Sequence, residues 1–325
     1  MTTDAPSVAR KHWWSPQPPP DTPPTSTRRA YLEVLLVFAA FFGAGILAAG
    51  FSLGGTLPRT NGGWGLFGPN AFDQVAQAGL AVALVVLLLR NRGMSRQAFG
   101  LDVPRQPDGS WALGQILRVA TWAVVALIAG SLVTSALATG KYDLPSHLGA
   151  PFLFYAAASS LNAGVIEEVV VLGFVVATLR QARRPMWEVL VVAVVLRASY
   201  HVYYGPGVVG ILIWGSVFVW LYLRTRSLLP IMAVHFAWDT TVFMSQRWPV
   251  AILFGLLIVF VMVIAAPITW LVERSNQRLA KAPGLALAAA PAWPGYYAPP
   301  GWRPDPWGQY QWRWWDGVRW TDTTA

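Results

Sequence analysis

The feature of this sequence that most limits its fold is a series of long apolar runs that contain almost no charged residues. A run of about 18 or more apolar residues is long enough to cross the hydrocarbon core of a bilayer as an α-helix. We count eight such runs, which predict an all-α transmembrane bundle of about eight spans. The runs cover residues 31–53, 71–89, 113–138, 152–179, 186–203, 208–223, 228–244 and 250–272.

Composition divides the chain into four parts. Residues 1–30 are polar and proline-rich, which predicts a disordered cytoplasmic tail, and residues 31–273 form the transmembrane domain. An Ala/Pro-rich linker follows at 274–292. Residues 293–325 are dense in Trp, and aromatic and polar residues alternate there around Asp316-Gly317. That pattern predicts a hairpin with a type I′ turn at this dipeptide, and hence a small Trp-rich β-module.

The placement of charge favours a membrane protein over a nucleic-acid-binding protein. The net charge is +9, but the Arg residues lie mostly at the ends of the apolar runs, where they act as topology signals. With eight spans, the Lys and Arg residues concentrate on one side, which places both termini in the cytoplasm. The chain has no Cys, which excludes disulfides, thiolate zinc ligands and a cysteine nucleophile. We expect the lipid bilayer, and no nucleic acid, as a partner.

Three of the runs carry ionisable residues near their middle. A charged side chain has a high free-energy cost inside a bilayer, so such residues usually serve a structural or functional role. A single residue of this kind is as often an interhelical hydrogen-bonding group as a functional one. Six of them on three runs favour a polar site that could hold a water molecule or a metal ion. They are Glu167 and Glu168 in the fourth run, Arg197 and His201 in the fifth, and His235 and Asp239 in the seventh.

Spacing indicates which of these side chains share a helix face. Arg197 and His201 are four residues apart, so they lie on one face of their helix, and His235 and Asp239 are related in the same way. The adjacent residues Glu167 and Glu168 are about 100° apart on an α-helix, so we expect one to face the site and the other to pack behind it. An unpaired Arg in a membrane helix costs about 2.5–3.5 kcal/mol, so we expect Arg197 to pair with one of the two carboxylates.

These residue types suit hydrolysis of a peptide bond. A Glu in an apolar site can act as general base toward water, and a His can share the proton. A second His beside an Asp can donate to an oxyanion or bind a metal. The sequence has no His-Glu-x-x-His motif, no serine elbow and no Gly-Asp pair within a run. A proton-coupled transporter that uses Glu167 or Glu168 as its carrier and a non-catalytic scaffold are the alternatives.

The order Glu-Glu, His and His-x-x-x-Asp within residues 150–244 resembles the CAAX prenyl protease and bacteriocin-processing (CPBP) family. Its members are eight-helix membrane proteins that are often called intramembrane metalloproteases. The family motifs are Glu-Glu-x-x-x-Arg, Phe-x-x-x-His and His-x-x-x-Asn, and this chain has Leu172, Arg197 and Asp239 in place of the Arg, the Phe and the Asn. Because the motif Arg is missing, an inactive member of the family is one alternative. We favour the interpretation that Arg197 supplies the cation from the neighbouring run.

The resemblance implies an endopeptidase that cleaves a membrane-associated peptide or protein, and a bacteriocin-immunity-type protein on the same fold is the alternative. It implies water activation by Glu167 and His201 and oxyanion binding by His235 and Asp239. Glu167, His201 and His235 would also suffice as ligands of a catalytic zinc ion. A metal-free mechanism with Glu as the base is equally open.

The C-terminal segment resembles a short Trp-rich domain of unknown function that is common at the ends of actinobacterial membrane proteins. The resemblance rests on residues 301–306 and 313–321. It implies a bacterial cell membrane as the location. The module could be an aromatic anchor at the membrane interface or a site for a protein partner.

Overall fold

The computed structural model describes residues 24–53, 64–94, 99–102, 113–139, 150–280, 300–305, 310–316 and 319–325. The predicted disordered tail up to residue 23 and most of the predicted linker lie outside the described residues. Two compact units are present, formed by residues 1–267 and 268–325.

Helices form the transmembrane region, as the apolar runs predict. They are α1 (Thr27–Leu53), α2 (Trp64–Asn91), α3 (Leu113–Leu137), α4 (Ala150–Asn162), a π-helical segment (Ala163–Val176), α5 (Ala177–Gln181), α6 (Met186–Ser199), a 3-10 helix (Val202–Gly207), α7 (Val208–Thr225), α8 (Leu228–Arg247) and α9 (Ala251–Ala280). Each of the eight predicted runs is mostly helical, so the all-α class is confirmed.

Five helical stretches within the described residues are long and apolar enough to cross a membrane. They are Thr27–Leu47, Leu113–Leu137, Leu153–Gln181, Val202–Thr225 and Leu228–Ser245, and Gln74–Leu88 is a shorter apolar helix. The chain is therefore a multi-pass membrane protein, and the predicted number of eight spans is approximate.

The fifth predicted run is not one continuous helix. Helix α6 has 14 residues, which at about 1.5 Å per residue is shorter than the hydrocarbon core. The chain then continues as the 3-10 helix, in which Gly205 has a positive φ of 58° and Pro206 has no backbone N–H to donate. This irregular backbone places residues 200 and 201 at the end of a helix rather than within one.

The fourth predicted run changes pitch after Asn162 and does not break. The backbone of Asn162 stays in the right-handed helical region, and the chain passes directly from α4 into the π-helical segment. That segment is the most buried part of the bundle, since Val169, Leu172 and Phe174 have no exposed surface. It packs against α2, α6 and α8, so its side chains reach the centre of the bundle.

The C-terminal unit contains an antiparallel sheet of β1 (Gly301–Pro304), β2 (Trp312–Trp315) and β3 (Trp320–Thr324) in the order β1-β2-β3. Its interior holds an ion pair between Arg313 Nε and Asp305 Oδ1 at 2.9 Å. Trp302 lies opposite Trp314 on the other face, where Trp302 and Trp312 are exposed. The predicted small Trp-rich β-module is confirmed.

The predicted hairpin between β2 and β3 is present. Trp315 pairs with Trp320, and the Asp316 N–H donates to the Arg319 carbonyl oxygen at 3.1 Å. In the other direction, the Asp316 Oδ1 accepts the Arg319 N–H at 2.7 Å. The predicted type I′ turn at Asp316-Gly317 includes Gly317, which lies outside the described residues.

Candidate active site

Glu168 is the most enclosed carboxylate among the predicted site residues and has no exposed surface. Arg197 Nη1 donates to its Oε1 at 2.7 Å, and Arg197 Nη2 donates to its Oε2 at 2.8 Å. His235 Nδ1 donates to Oε1 at 2.7 Å. The predicted pairing of Arg197 with the Glu pair is confirmed. Both oxygens of Glu168 are engaged, so this residue holds the π-helical segment, α6 and α8 together.

The guanidinium of Arg197 lies in an aromatic pocket provided by α7. Its central carbon is 4.7 Å from the ring centroid of Trp214 and 5.8 Å from that of Phe218, within the range of cation–π attraction. Between these two residues, Gly215 leaves room for the Arg197 stem, since a Cβ there would lie 3.2 Å from Arg197 Cδ. Charge, ring faces and space together fix the cation beside the carboxylates.

Glu167 faces the same site as Glu168. Its Oε2 lies 3.6 Å from Arg197 Nη1, and its side chain is 12% exposed. The expectation that one Glu packs behind the other is wrong because these residues lie in a π-helix. A π-helix bonds residue i to i+5, so each turn holds more residues than an α-helical turn and adjacent side chains diverge by less than 100°.

His201 lies where α6 passes into the 3-10 helix. Its Nδ1 is 3.0 Å from the backbone carbonyl oxygen of Arg197, and since a carbonyl only accepts, Nδ1 carries the hydrogen. In the neutral ring, Nε2 is then an acceptor, and it lies 4.0 Å from Glu167 Oε1. Two acceptors at this separation can be bridged by one water molecule that donates a hydrogen to each.

His235 and Asp239 lie on one face of α8, as their spacing predicts. The distance from His235 Nε2 to Asp239 Oδ2 is 3.7 Å, and the Asp239 side chain is 23% exposed. Trp214 packs edge-on against the imidazole at 5.2 Å between ring centroids. With Glu168 at one nitrogen and Asp239 near the other, the ring orientation of His235 is set by carboxylates on both sides.

The residues that could bind a metal differ from the predicted set. Among the described residues, ligand atoms of Glu167, Glu168 and His235 lie within 4.8 Å of one another, and His201 is not part of that group. Three such ligands would be enough for a catalytic zinc ion. However, the Arg197 guanidinium already lies 2.7 Å from Glu168 and 3.6 Å from Glu167. A divalent cation between the same carboxylates would be repelled by it, so this arrangement does not fit zinc.

Sequence reasoning missed three residues of the site, namely Tyr200, Trp214 and Gly215. The Tyr200 hydroxyl donates to Glu167 Oε2 at 2.9 Å. Nothing in the sequence distinguishes this Tyr from Tyr203 and Tyr204, which follow it. Trp214 and Gly215 look like ordinary members of an apolar run. Their roles depend on how α7 packs against α6, which the run itself does not encode.

Comparison with known families identifies the segment that carries the site. Residues 149–241 match the family model described as Type II CAAX prenyl endopeptidase Rce1-like. The chain carries an Rce1-like domain. The domain extends from α4 to α8 and includes all six predicted site residues, and the match confirms the resemblance to the CPBP family. Comparisons with curated proteins and with solved structures gave no match.

Proposed function

We propose that this protein is an intramembrane endopeptidase that hydrolyses a peptide bond of a membrane-associated peptide or small membrane protein. The observation that carries the proposal is the 4.0 Å separation of two acceptors, Glu167 Oε1 and His201 Nε2, within an Rce1-like domain. A water molecule between them has both hydrogens accepted and a lone pair free for attack. The Rce1-like family is a peptidase family, which agrees with this chemistry.

In the proposed reaction, the water oxygen attacks the peptide carbonyl carbon and one water proton passes to Glu167. The carbonyl π electrons move to oxygen and form a tetrahedral oxyanion. When the C–N bond breaks, the proton held by Glu167 passes to the departing amine, which leaves a carboxylic acid and a free amino group. Glu167 thus acts first as base and then as acid, and His201 orients the water.

His235 is the donor best placed for the oxyanion. Its Nδ1 hydrogen bonds to Glu168, and a second hydrogen on Nε2, supported by Asp239 at 3.7 Å, is available to the substrate. Asp239 then orients the imidazole instead of binding the oxyanion itself, because an ionised carboxylate only accepts hydrogen bonds. Arg197 and Glu168 hold the donors in place.

The proposal is tested by comparing membrane peptides from cells that contain the wild type, Glu167→Gln or Glu188→Gln. Glu188 is a matched control because it lies at the opposite end of α6, and Gln there keeps an oxygen that accepts the Tyr31 hydroxyl and so preserves the contact with α1. We expect at least one membrane peptide to be processed by the wild type and by Glu188→Gln but not by Glu167→Gln. Identical peptide profiles in all strains would overturn the proposal that the protein is an endopeptidase. Uptake that depends on a pH gradient and on Glu167, with no change in processing, would instead identify a transporter.

We also propose that both termini are cytoplasmic. Arg92 Nη1 donates to Thr178 Oγ1 at 2.8 Å, so the Arg-rich connection after α2 and the one after α5 lie at the same end of the bundle. An excess of Arg in the short loops at one end favours the cytoplasmic side for that end. Reporter fusions at each terminus test this topology, and an active periplasmic reporter at the C-terminus would contradict it.

A further inference from the structure

The hydroxyl of Tyr200 bonds to one of the two oxygens of Glu167. A carboxylate cannot donate, so the hydroxyl is the donor in the 2.9 Å bond to Glu167 Oε2. Arg197 Nη1 lies on the same oxygen at 3.6 Å. The other oxygen, Oε1, is the one that faces His201 at 4.0 Å. The two oxygens of one carboxylate therefore have different surroundings.

The ring of Tyr200 is held by α1, which lies outside the Rce1-like segment. Phe42 stacks on Tyr200 with ring centroids 4.3 Å apart and planes 7° apart, and Phe38 packs against the same ring at 6.1 Å. Tyr200 itself follows the last residue of α6 and has non-helical φ and ψ of −92° and 1°. Because regular helical bonding ends there, the ring is held by its stack with Phe42 together with Phe38 and the neighbouring His201 ring, whose centroid is 4.5 Å away.

Helix α1 is also held at the Arg-rich end of the bundle. The Tyr31 hydroxyl donates to Glu188 on α6, and Glu33 pairs with Arg92 beyond α2. These contacts fix the position of α1 along α6, and hence the height at which Phe42 meets Tyr200.

We infer that Tyr200 is a positioning residue for the proposed base Glu167, and that α1 contributes to the site through Phe42. This inference rests on the proposed function. The terminal torsion of a Glu side chain is broad, so a carboxylate without a fixed donor rotates freely. With the Tyr200 hydroxyl in place, Oε1 stays opposite His201. Without it, the carboxylate samples orientations in which no water can contact both acceptors.

The kinetic test uses an internally quenched fluorogenic peptide copied from the site that the wild-type protein cleaves. Tyr200→Phe keeps the ring and removes the hydroxyl, and Phe42→Leu keeps the apolar volume and removes the stack. Both variants should lower kcat by at least about tenfold while KM stays near the wild-type value, because positioning acts on the chemical step. The matched control is Tyr222→Phe, which removes another buried hydroxyl, bonded to the Phe99 carbonyl oxygen at 2.9 Å. It should keep the wild-type kcat. An unchanged kcat in Tyr200→Phe, or an equal loss in Tyr222→Phe, overturns the inference.

A second readout does not depend on activity. Dicyclohexylcarbodiimide modifies carboxyl groups in apolar surroundings, and mass spectrometry of the full-length protein in detergent reports which Glu is labelled. Tyr200→Phe should increase labelling of Glu167 and leave Glu168, which remains paired with Arg197, unchanged. If Tyr200→Phe alters the labelling of Glu167 but the wild-type protein cleaves no peptide, the positioning role of Tyr200 stands and the proposed peptidase activity is rejected. Unaltered labelling together with wild-type cleavage would reject the positioning role alone.

Discussion

Arg197 on α6 donates both terminal nitrogens of its guanidinium to Glu168 on the π-helical segment, at 2.7 and 2.8 Å. Both side chains are fully buried. A bidentate pair of this kind fixes orientation as well as distance, because the planar fork of Arg matches the two carboxylate oxygens. In the family motif, an Arg on the same helix as the Glu pair supplies the cation. In this protein Arg197 supplies it from α6, which follows that helical stretch along the chain.

Removing this cation should disable the protein, and returning it elsewhere should restore part of the activity. Arg197→Leu leaves Glu168 buried without its guanidinium, and breaking a buried pair costs about 3–5 kcal/mol. We expect loss of peptide processing and a lower melting temperature in detergent. Leu172 is fully buried on the same segment four residues after Glu168, so adding Leu172→Arg should recover part of both the activity and the melting temperature.

Arg118→Leu, which changes another Arg within an apolar helix, is the control and should keep activity. A double variant no better than Arg197→Leu would contradict the exchange.

The two carboxylates should respond differently to neutralisation. Glu167→Gln removes the proposed base but keeps an oxygen for the Tyr200 hydroxyl, so we expect activity to fall about 10²–10⁴-fold with little change in melting temperature. Glu168→Gln leaves the buried Arg197 charge without a counter-ion, so both activity and melting temperature should fall. Peptide cleavage and thermal unfolding of the purified proteins measure the two effects. Equal shifts in the melting temperature of Glu167→Gln and Glu168→Gln would show that the two residues do not have these separate catalytic and structural roles.

Chelation should not inactivate the protein, because the Arg197 guanidinium lies 3.6 Å from Glu167 and 2.7 Å from Glu168 and would repel a metal ion there. We expect the purified protein to hold far less than one zinc ion per chain by elemental analysis. Peptide cleavage should continue after treatment with 1,10-phenanthroline. Loss of cleavage on chelation, followed by recovery on addition of Zn²⁺, would show instead that Glu167, Glu168 and His235 bind a catalytic metal in the working enzyme.

A methyl group at Gly215 should disturb the site from the α7 side. The Cβ of Gly215→Ala would lie 3.2 Å from Arg197 Cδ, so the guanidinium stem must shift by a few tenths of an ångström. Because a 1 Å misplacement can cost about a hundredfold in rate, we expect this smaller shift to lower activity by roughly a few-fold. Gly79→Ala is the matched control, since a Cβ on Gly79 of α2 meets nothing within 4 Å. If both variants cleave peptide at the wild-type rate, Gly215 does not set the position of Arg197.

The parts of this protein that the sequence predicts are those governed by solvation energy. Apolar runs identify the helices because backbone and side chains must both be satisfied in lipid. The pairing of Arg197 with the Glu pair follows from the cost of leaving either charge alone in a bilayer. The contact between Tyr200 and Phe42 was not predictable, because it joins two distant helices and depends on how their faces pack.

Local geometry accounts for the clearest error. A shift from α-helical to π-helical pitch brings Glu167 and Glu168 into one site, and no residue type between Ala163 and Val176 signals that shift. In the C-terminal module, the Asp-Gly dipeptide identified a hairpin correctly.

The origin of the Glu168 counter-charge has a consequence for biosynthesis. A span with its own Arg one turn after the Glu pair could neutralise itself as it enters the bilayer. Here the stretch from α4 to α5 carries two carboxylates, and the guanidinium arrives only with α6, after the short connection of residues 182–185. Lateral release of the first stretch alone would strand its carboxylates in lipid. We therefore expect the translocation machinery to release these two stretches together as a hairpin, so that membrane integration and construction of the reaction centre are a single event.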